Sequence, residues 1–301
     1  MHSKKGLIFV LLTAIISGFS IFINKFGVTE INPYLFTWLK NTVVAIFLLS
    51  ILIFFKDYKA LFKLTKKQWS RLALIGLFGG SIPFLLFFKG LQLTSAASGG
   101  FIHKTMFIWV GVLALIFLKE KLNKQMFLAA ILLLLGNLLL LQMNSFNIGL
   151  GEVLIFLATI FWSIETILSK NALKNLDAKT VAFGRMFFGS LFILVFLVLT
   201  GNITTIVSLN MSHVYWVLLT SVFLFFYVFT WYNGLKTISP TVATSILLLG
   251  SPITTLLNFI FLDNIVTITQ VCGITLIGLG IAYAIYFLEL NTQRISIANP
   301  R

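Results

Sequence analysis

The chain has 301 residues, is 59% hydrophobic and only 10% charged, and carries a formal net charge of +14. A soluble domain is about a quarter charged, so composition excludes one. Basicity of this order in a soluble protein would point to nucleic acid, but here the placement of the cations gives it another meaning.

Ten apolar runs follow one another, at about 7–23, 34–55, 72–92, 95–118, 126–143, 149–169, 178–200, 214–235, 239–262 and 267–288. Each is close to the ~20 residues a helix needs to cross a hydrocarbon core of ~30 Å. A bilayer interior admits only helices or closed barrels, and unbroken apolar runs lack the alternation of a barrel strand. The expected fold class is all-α integral membrane. The first run follows Lys4 and Lys5 as in a secretory signal, but no small-x-small cleavage site comes after it, so it is expected to stay as a first span. The single cysteine, Cys272, excludes an internal disulfide and carries no metal signal.

With the N-terminus placed inside and the spans alternating, cytoplasmic segments hold seventeen of the 22 lysines and arginines, and external loops hold Lys25 and Lys89. Lys40, Lys104 and Arg185 remain within spans. The bias puts both termini in the cytoplasm of a plasma or inner membrane. It explains the basicity by topology and anionic lipid rather than by nucleic acid.

Sliding the chain against itself by 144 to 145 residues gives repeated matches. "SIFINKFGVTEINPYLFTWLKN" lies over "ETILSKNALKNLDAKTVAFGRM", placing Lys25 on Lys170 and Lys40 on Arg185. "FFKGLQLTSAASGGFI" lies over "WYNGLKTISPTVATSI", placing Gly90 on Gly234. Five spans per half is an odd number, so the second half inserts with the opposite orientation. Inverted repeats related by an in-plane axis are a transporter device, with the site at the repeat interface. The expected organisation is two five-helix repeats, 1–145 and 146–290, around a central cavity, followed by a cytoplasmic tail at 291–301.

Ten spans in two such repeats resemble the EamA-like branch of the drug/metabolite transporter superfamily over about residues 6 to 288. "GLQLTSAASGGFI", "GLKTISPTVATSI", "FLKEKL", "LLLLGNLLLL" and "ITLIGLGIAYA" carry the resemblance. It implies a helical bundle with the fifth and tenth helices peripheral, and export of amino-acid-like metabolites. The second repeat ends its ninth span with Asp263-Asn264 where Glu120 stands in the first, so any role of that glutamate is not duplicated.

Charges at membrane depth cost at least ~2.5–3.5 kcal/mol each, so each requires a reason. Lys104 lies in "SGGFIHKTMFIW", whose Lys-Thr suggests a phosphate loop. That loop needs a glycine directly before the lysine, and His103 stands there instead, so the nucleotide reading fails. Near the midplane, Lys104 is expected to face the central cavity and contact an anionic group of the cargo, or else to form a structural ion pair. His103 is its neighbour, a binding group or a plain helix contact. Lys40 and Arg185 each sit about seven residues from one end of their spans, one toward each side, as cavity cations or as snorkelling anchors. Glu165 is expected either to pair with Arg185 or to carry a coupling proton. In the small multidrug branch of the superfamily the corresponding helix bears an essential glutamate. Trp38, Trp162, Tyr232 and Asn233 complete the candidate binding set, while Trp109, Tyr227 and Trp231 read equally as belt or packing. Gly76/Gly80, Ser95/Gly99 and Gly278/Ala282 have the small-xxx-small spacing of close helix contacts, and Pro240 and Pro252 are expected to cap and to kink the ninth span.

Eight acids and three histidines supply no metal cluster and no nucleophile–base set, so the chain is not expected to be an enzyme or to need a cofactor. The leading expectation is a secondary active transporter that exports amino-acid-like or other anionic or zwitterionic metabolites. Its partners would be that small molecule, the bilayer, and protons or ions, with no oligomer required. The alternatives are a flippase for a lipid-linked substrate and a non-transporting accessory protein. Cysteines engineered near Asn202 and Asn147 should react with an impermeant reagent in intact cells, and one near Lys63 should not. Labelling at Lys63 would overturn the topology.

Overall fold

The computed structural model describes residues 4–120, 124–140, 148–262 and 265–298. All regular structure among these residues is helical. The first half runs α1 (Lys4–Glu30), α2 (Pro33–Phe54), the short α3 (Lys59–Phe62), α4 (Lys66–Ile75), α5 (Ile82–Leu93), α6 (Ala96–Lys104), α7 (Met106–Leu118) and α8 (Lys124–Leu140). The second runs α9 (Leu150–Ala172), α10 (Ala178–Leu199), α11 (Met211–Thr237), α12 (Pro240–Ile246), α13 (Gly250–Phe261) and α14 (Ile268–Ala298). Eight helical stretches are long and apolar enough to cross a membrane. The fifth and tenth expected spans are shorter apolar helices, Leu128–Leu140 and Ile268–Tyr283. The Asp263-Asn264 pair lies outside the described residues.

Local chemistry explains the helix starts and breaks. Asn32 caps α2 by accepting from the Tyr34 and Leu35 amides, with Pro33 at the first helical position, where its missing N–H costs nothing. Thr65 and Gln68 form a capping box at α4. Three of the apolar stretches are interrupted. The third joins α4 to α5 through a π-helical turn, Gly76–Ser81. The fourth breaks at Thr105, between α6 and α7. The ninth tightens into a 3-10 turn at Leu247–Leu249 before α13. Pro240 opens α12 as expected, and Pro252 takes the backbone N–H away from the carbonyl four residues earlier, at Leu248, within the 3-10 turn. Thr105 and Leu249 are 144 residues apart, so the two breaks fall at matched positions.

Other contacts recur at the same offset. Lys25 Nζ donates to the carbonyls of Leu91, Gln92 and Thr94, and Lys170 Nζ to those of Leu235, Lys236 and Ile238. Each lysine thereby caps the C-terminal carbonyls of a helix whose own turn has run out. A Cβ on Gly90 would strike Ile155 and the Gly151 carbonyl, and one on Gly234 would strike Val10 and lie close to the Gly6 carbonyl. α5 against α9 thus repeats as α11 against α1.

Backbone approach sets the packing, as the small-residue spacing leads one to expect for Gly76 and Gly80. A Cβ on Gly80 would lie 2.2 Å from the Arg185 carbonyl, and one on Gly189 would lie 2.5 Å from the Gly80 carbonyl. The α4–α5 turn and α10 therefore meet backbone to backbone. Gly278 departs from the expectation: nothing lies within 4 Å of its Cβ position. α8 and α14 instead meet at Gly136 and Gly273, where a Cβ on either would lie 2.8 or 2.7 Å from the other's carbonyl. Gly189→Val should push α10 away from Gly80 and cost about 1–3 kcal/mol by overpacking. Gly278→Ala should stay within about 0.5 kcal/mol of the parent. Thermal unfolding in detergent measures both, and equal effects would refute the packing account.

Candidate functional site

Between the halves lies a half-open cavity, about 650 Å³ of empty space with its mouth included, reached by α1, α2, α5, α6, α7, α9, α10 and α11. Its wall begins with a backbone defect. Pro83 has no N–H to give the Gly79 carbonyl four residues before it, so that oxygen is left in the π-helical turn without its usual helical donor. Two side chains from the second half take the place of the amide: Trp162 Nε1 at 3.0 Å and Arg185 Nη2 at 3.0 Å. The next carbonyl, Gly80, accepts from Asn41 Nδ2 at 2.7 Å. A Cβ on Gly79 would lie 2.3 Å from Glu165 Cγ, so only glycine lets this backbone sit between Arg185 and Glu165.

Glu165 and Arg185 both line the cavity, but no direct ion pair joins them. The ion pairs among the described residues are Lys179–Asp57 and Lys236–Asp177. The buried Tyr232 hydroxyl stands between, donating to Glu165 Oε1 at 2.6 Å while Arg185 Nη1 approaches the same hydroxyl at 3.5 Å. Ser169 Oγ also donates to Glu165 Oε1. The expected contact of the two charges is thus relayed by a tyrosine, and Arg185 Nε keeps no partner.

Lys40 reaches the cavity from α2. Its ammonium donates to Asn24 Oδ1 and sits 4.3 Å from the centre of the Phe88 ring and 4.9 Å from that of Phe36. Asn24 is turned for this by its own amide, which donates to the Ser20 carbonyl and hydroxyl. Desolvated cation–π contacts of this kind are worth ~2 kcal/mol, which offsets part of the cost of burying the charge. His103 stands edge-on to Trp162, ring centres 5.0 Å apart, and to Phe87 at 5.6 Å. Its Nδ1 is buried without a partner.

The remaining candidates lie elsewhere. Lys104 is not on the cavity wall; its ammonium donates to Ser17 Oγ at 2.7 Å, and Ser17 is on that wall. Tyr232 sits behind Glu165. Trp38 packs half-buried against Leu35, Ile193 and Leu197. Asn233 donates to the Phe229 carbonyl of its own helix. Trp109 packs on Phe156, whereas Tyr227 and Trp231 do line the cavity. Sequence reading missed Ser17, Ser20 and Asn24, although their i, i+3, i+7 spacing marks one polar face of an otherwise apolar helix. It also missed Pro83 beside Gly79-Gly80. Outside the membrane-spanning stretches, Glu120 accepts from Thr241 at 2.7 Å. Burial raises its carboxyl above the usual range, against the opposing pull of that bond and of Lys170.

Tyr232→Phe removes the hydroxyl shared by Glu165 and Arg185 and should cost about 1–3 kcal/mol, because a buried charge loses its donor. Asn233→Ala should cost under about 0.5 kcal/mol. Chemical or thermal unfolding of the purified protein separates them, and an unaffected Tyr232→Phe would refute the relay.

The comparisons with known proteins agree with this architecture. A model of the EamA-like transporter family matches residues 4–142 and again 149–286. An uncharacterized transporter of Clostridium kluyveri is 25% identical over 92% of this chain and 92% of its own. The uncharacterized transporter YyaM of Bacillus subtilis is 24% identical over 89% of this chain and 91% of its own. One crystal structure of a protein superposes with a TM-score of 0.75 at 16% identity, covering 94% of this chain and 96% of that one, a likeness of fold alone. A twice-matched family model and apolar helices of spanning length make this a multi-pass membrane protein, and the chain belongs to the EamA-like transporter family.

Proposed function

We propose that the chain is a secondary active transporter that carries small anionic or zwitterionic metabolites, in the export direction, by alternating access of two inverted five-helix repeats. The observation that carries this reading is the charge imbalance of the cavity: Lys40 and Arg185 face it against one carboxylate, Glu165. A cargo carboxylate or other anionic group would supply the missing negative charge between Lys40 and Arg185. Arg185 Nε and His103 Nδ1, both without protein partners, are available to it. Lys104 reinforces the positive field from behind Ser17. Glu165, held by Tyr232 and Ser169, is the acceptor for a cargo ammonium or a coupling proton. Phe84, Phe87 and Trp162 supply apolar walls that exclude water and strengthen each of these charges.

The matched contacts of Lys25 with Lys170, and of Gly90 with Gly234, support two repeats with boundaries near 1–145 and 146–290. The distribution of cations supports ten spans with both termini in the cytoplasm of a plasma membrane. Alternating access then amounts to the halves exchanging roles about the fixed cavity.

Purified protein in proteoliposomes, offered a panel of labelled metabolites with and without a pH gradient, tests the reading. An anionic or zwitterionic metabolite should be taken up. Lys40→Met should weaken its apparent affinity about ten- to a hundredfold, the loss of one charge-assisted hydrogen bond. Glu165→Gln should abolish the response to the gradient. Uptake confined to neutral or cationic solutes, or unaltered affinity in a folded Lys40→Met protein, would sink it.

A further inference from the structure

The central cavity meets Lys104 only through Ser17. The side chain is 2% exposed, its Nζ donates to Ser17 Oγ, and neither ion pair among the described residues includes it. An ammonium carries three N–H groups. An ammonium at this depth, set against one neutral hydroxyl, is under-compensated.

Beside it lies a second pocket where α6, α8 and α13 meet, lined by Lys104, Asn137, Ser251, Thr255 and Asn258. Three of these side chains present a buried polar atom without a protein partner: Asn137 Oδ1, Ser251 Oγ and Asn258 Oδ1. Asn137 is 1% exposed and Ser251 8%. Buried polar atoms are paired in the great majority of cases, so three unpaired ones lining one pocket with Lys104 mark a place built for something polar.

The donor and acceptor types define what fits. Lys104 calls for negative charge, and the Ser251 hydroxyl is free to donate. Asn137 is turned by its amide, which donates to the Phe101 carbonyl at 3.3 Å, so its Oδ1 can only accept, and Asn258 Oδ1 accepts as well. The ligand must therefore accept at one end and donate at the other. Chloride and nitrate have no hydrogen to give. A singly charged oxyanion with an O–H group has both. Asn258 also borders a further hollow beside Lys25 and Thr29, near the ends of α1 and α13, so an anion arriving there meets the Lys25 charge first.

We propose that the Lys104–Asn137–Ser251–Asn258 pocket is a second binding site, separate from the central cavity, for a small hydroxyl-bearing oxyanion of the hydrogencarbonate or dihydrogenphosphate type. Its oxygen atoms accept from Lys104 and Ser251, and its hydroxyl donates to the asparagine oxygens. Occupancy neutralises Lys104 on the face opposite Ser17 and holds α6 against α13, where both broken spans meet.

Purified full-length protein in detergent, titrated with hydrogencarbonate, dihydrogenphosphate, chloride or nitrate at constant ionic strength and pH, decides the matter by thermal unfolding and calorimetry. Either hydroxyl-bearing anion should bind and raise the unfolding temperature, whereas chloride and nitrate should not. Lys104→Met should weaken binding at least about tenfold, as expected for a lost charge-assisted bond. Ser251→Ala and Asn258→Leu, milder changes, should each weaken it severalfold in protein that still folds, and they carry the test if Lys104→Met does not. Lys40→Met should leave this binding unchanged while impairing cargo uptake, which keeps the two sites distinguishable. Equal stabilisation by chloride or nitrate, no binding of either oxyanion, binding that survives in Ser251→Ala and Asn258→Leu, or binding lost in Lys40→Met would each overturn the proposal.

Discussion

A backbone carbonyl inside a bilayer has no water to turn to, and the Gly79 oxygen is the one on which this structure depends. Pro83 denies it the usual helical donor, and the π-helical turn aims it across the bundle rather than along its own helix. Trp162 and Arg185, from the other half of the chain, are the donors that satisfy it. That acceptor ties the π-helical turn to α9 and α10, orients a guanidinium toward the cavity and fixes the indole that flanks His103. Gly80 and Gly189 exist as glycines because the same region must also admit α10 at backbone distance. Defect, packing and charge placement share one origin.

The electrostatics follow from the scarcity of acids. An apolar bundle tolerates buried cations when each is given neutral partners: Lys40 has Asn24 and two phenyl faces, Arg185 a carbonyl and a tyrosine, Lys104 a serine. Such neutral partners stabilise a cation without cancelling it. Placing Tyr232 between Glu165 and Arg185 works the same way, because a relayed pair keeps more of its field than a bidentate ion pair would. A family of transporters whose members carry small molecules can use that residual positive field, and the geometry spends few side chains on it.

Much of this was legible in the sequence. Hydropathy located the apolar helices because length and period are imposed by the bilayer, and the offset of 144 to 145 residues found contacts that the fold does repeat. Lys40, Glu165, Arg185 and Trp162 were singled out by a cheap criterion, polarity at depth, and the fold brings all four to one cavity. Lys104 met the same criterion yet turns aside, because which face of a helix points inward depends on where that helix breaks, and no proline announces the break at Thr105. Trp38 and Asn233 were indistinguishable by letter from cavity residues; only packing against Ile193 and a bond to Phe229 tell them apart. The tyrosine relay was hidden because it joins α9 to α11 across 67 residues of chain, a separation that local spacing cannot report.

The lysine caps at Lys25 and Lys170 bear on how freely the chain can vary. Every oxygen they engage belongs to the main chain, and a main-chain carbonyl is present whatever residue occupies the position. The turns after α5 and α11 can therefore exchange their letters, as "GLQLT" and "GLKTI" have between the halves, without losing the clamp. Mutational tolerance is spread over the turn beyond the shared Gly-Leu, which packing holds, and the clamp itself depends on one ammonium at each end.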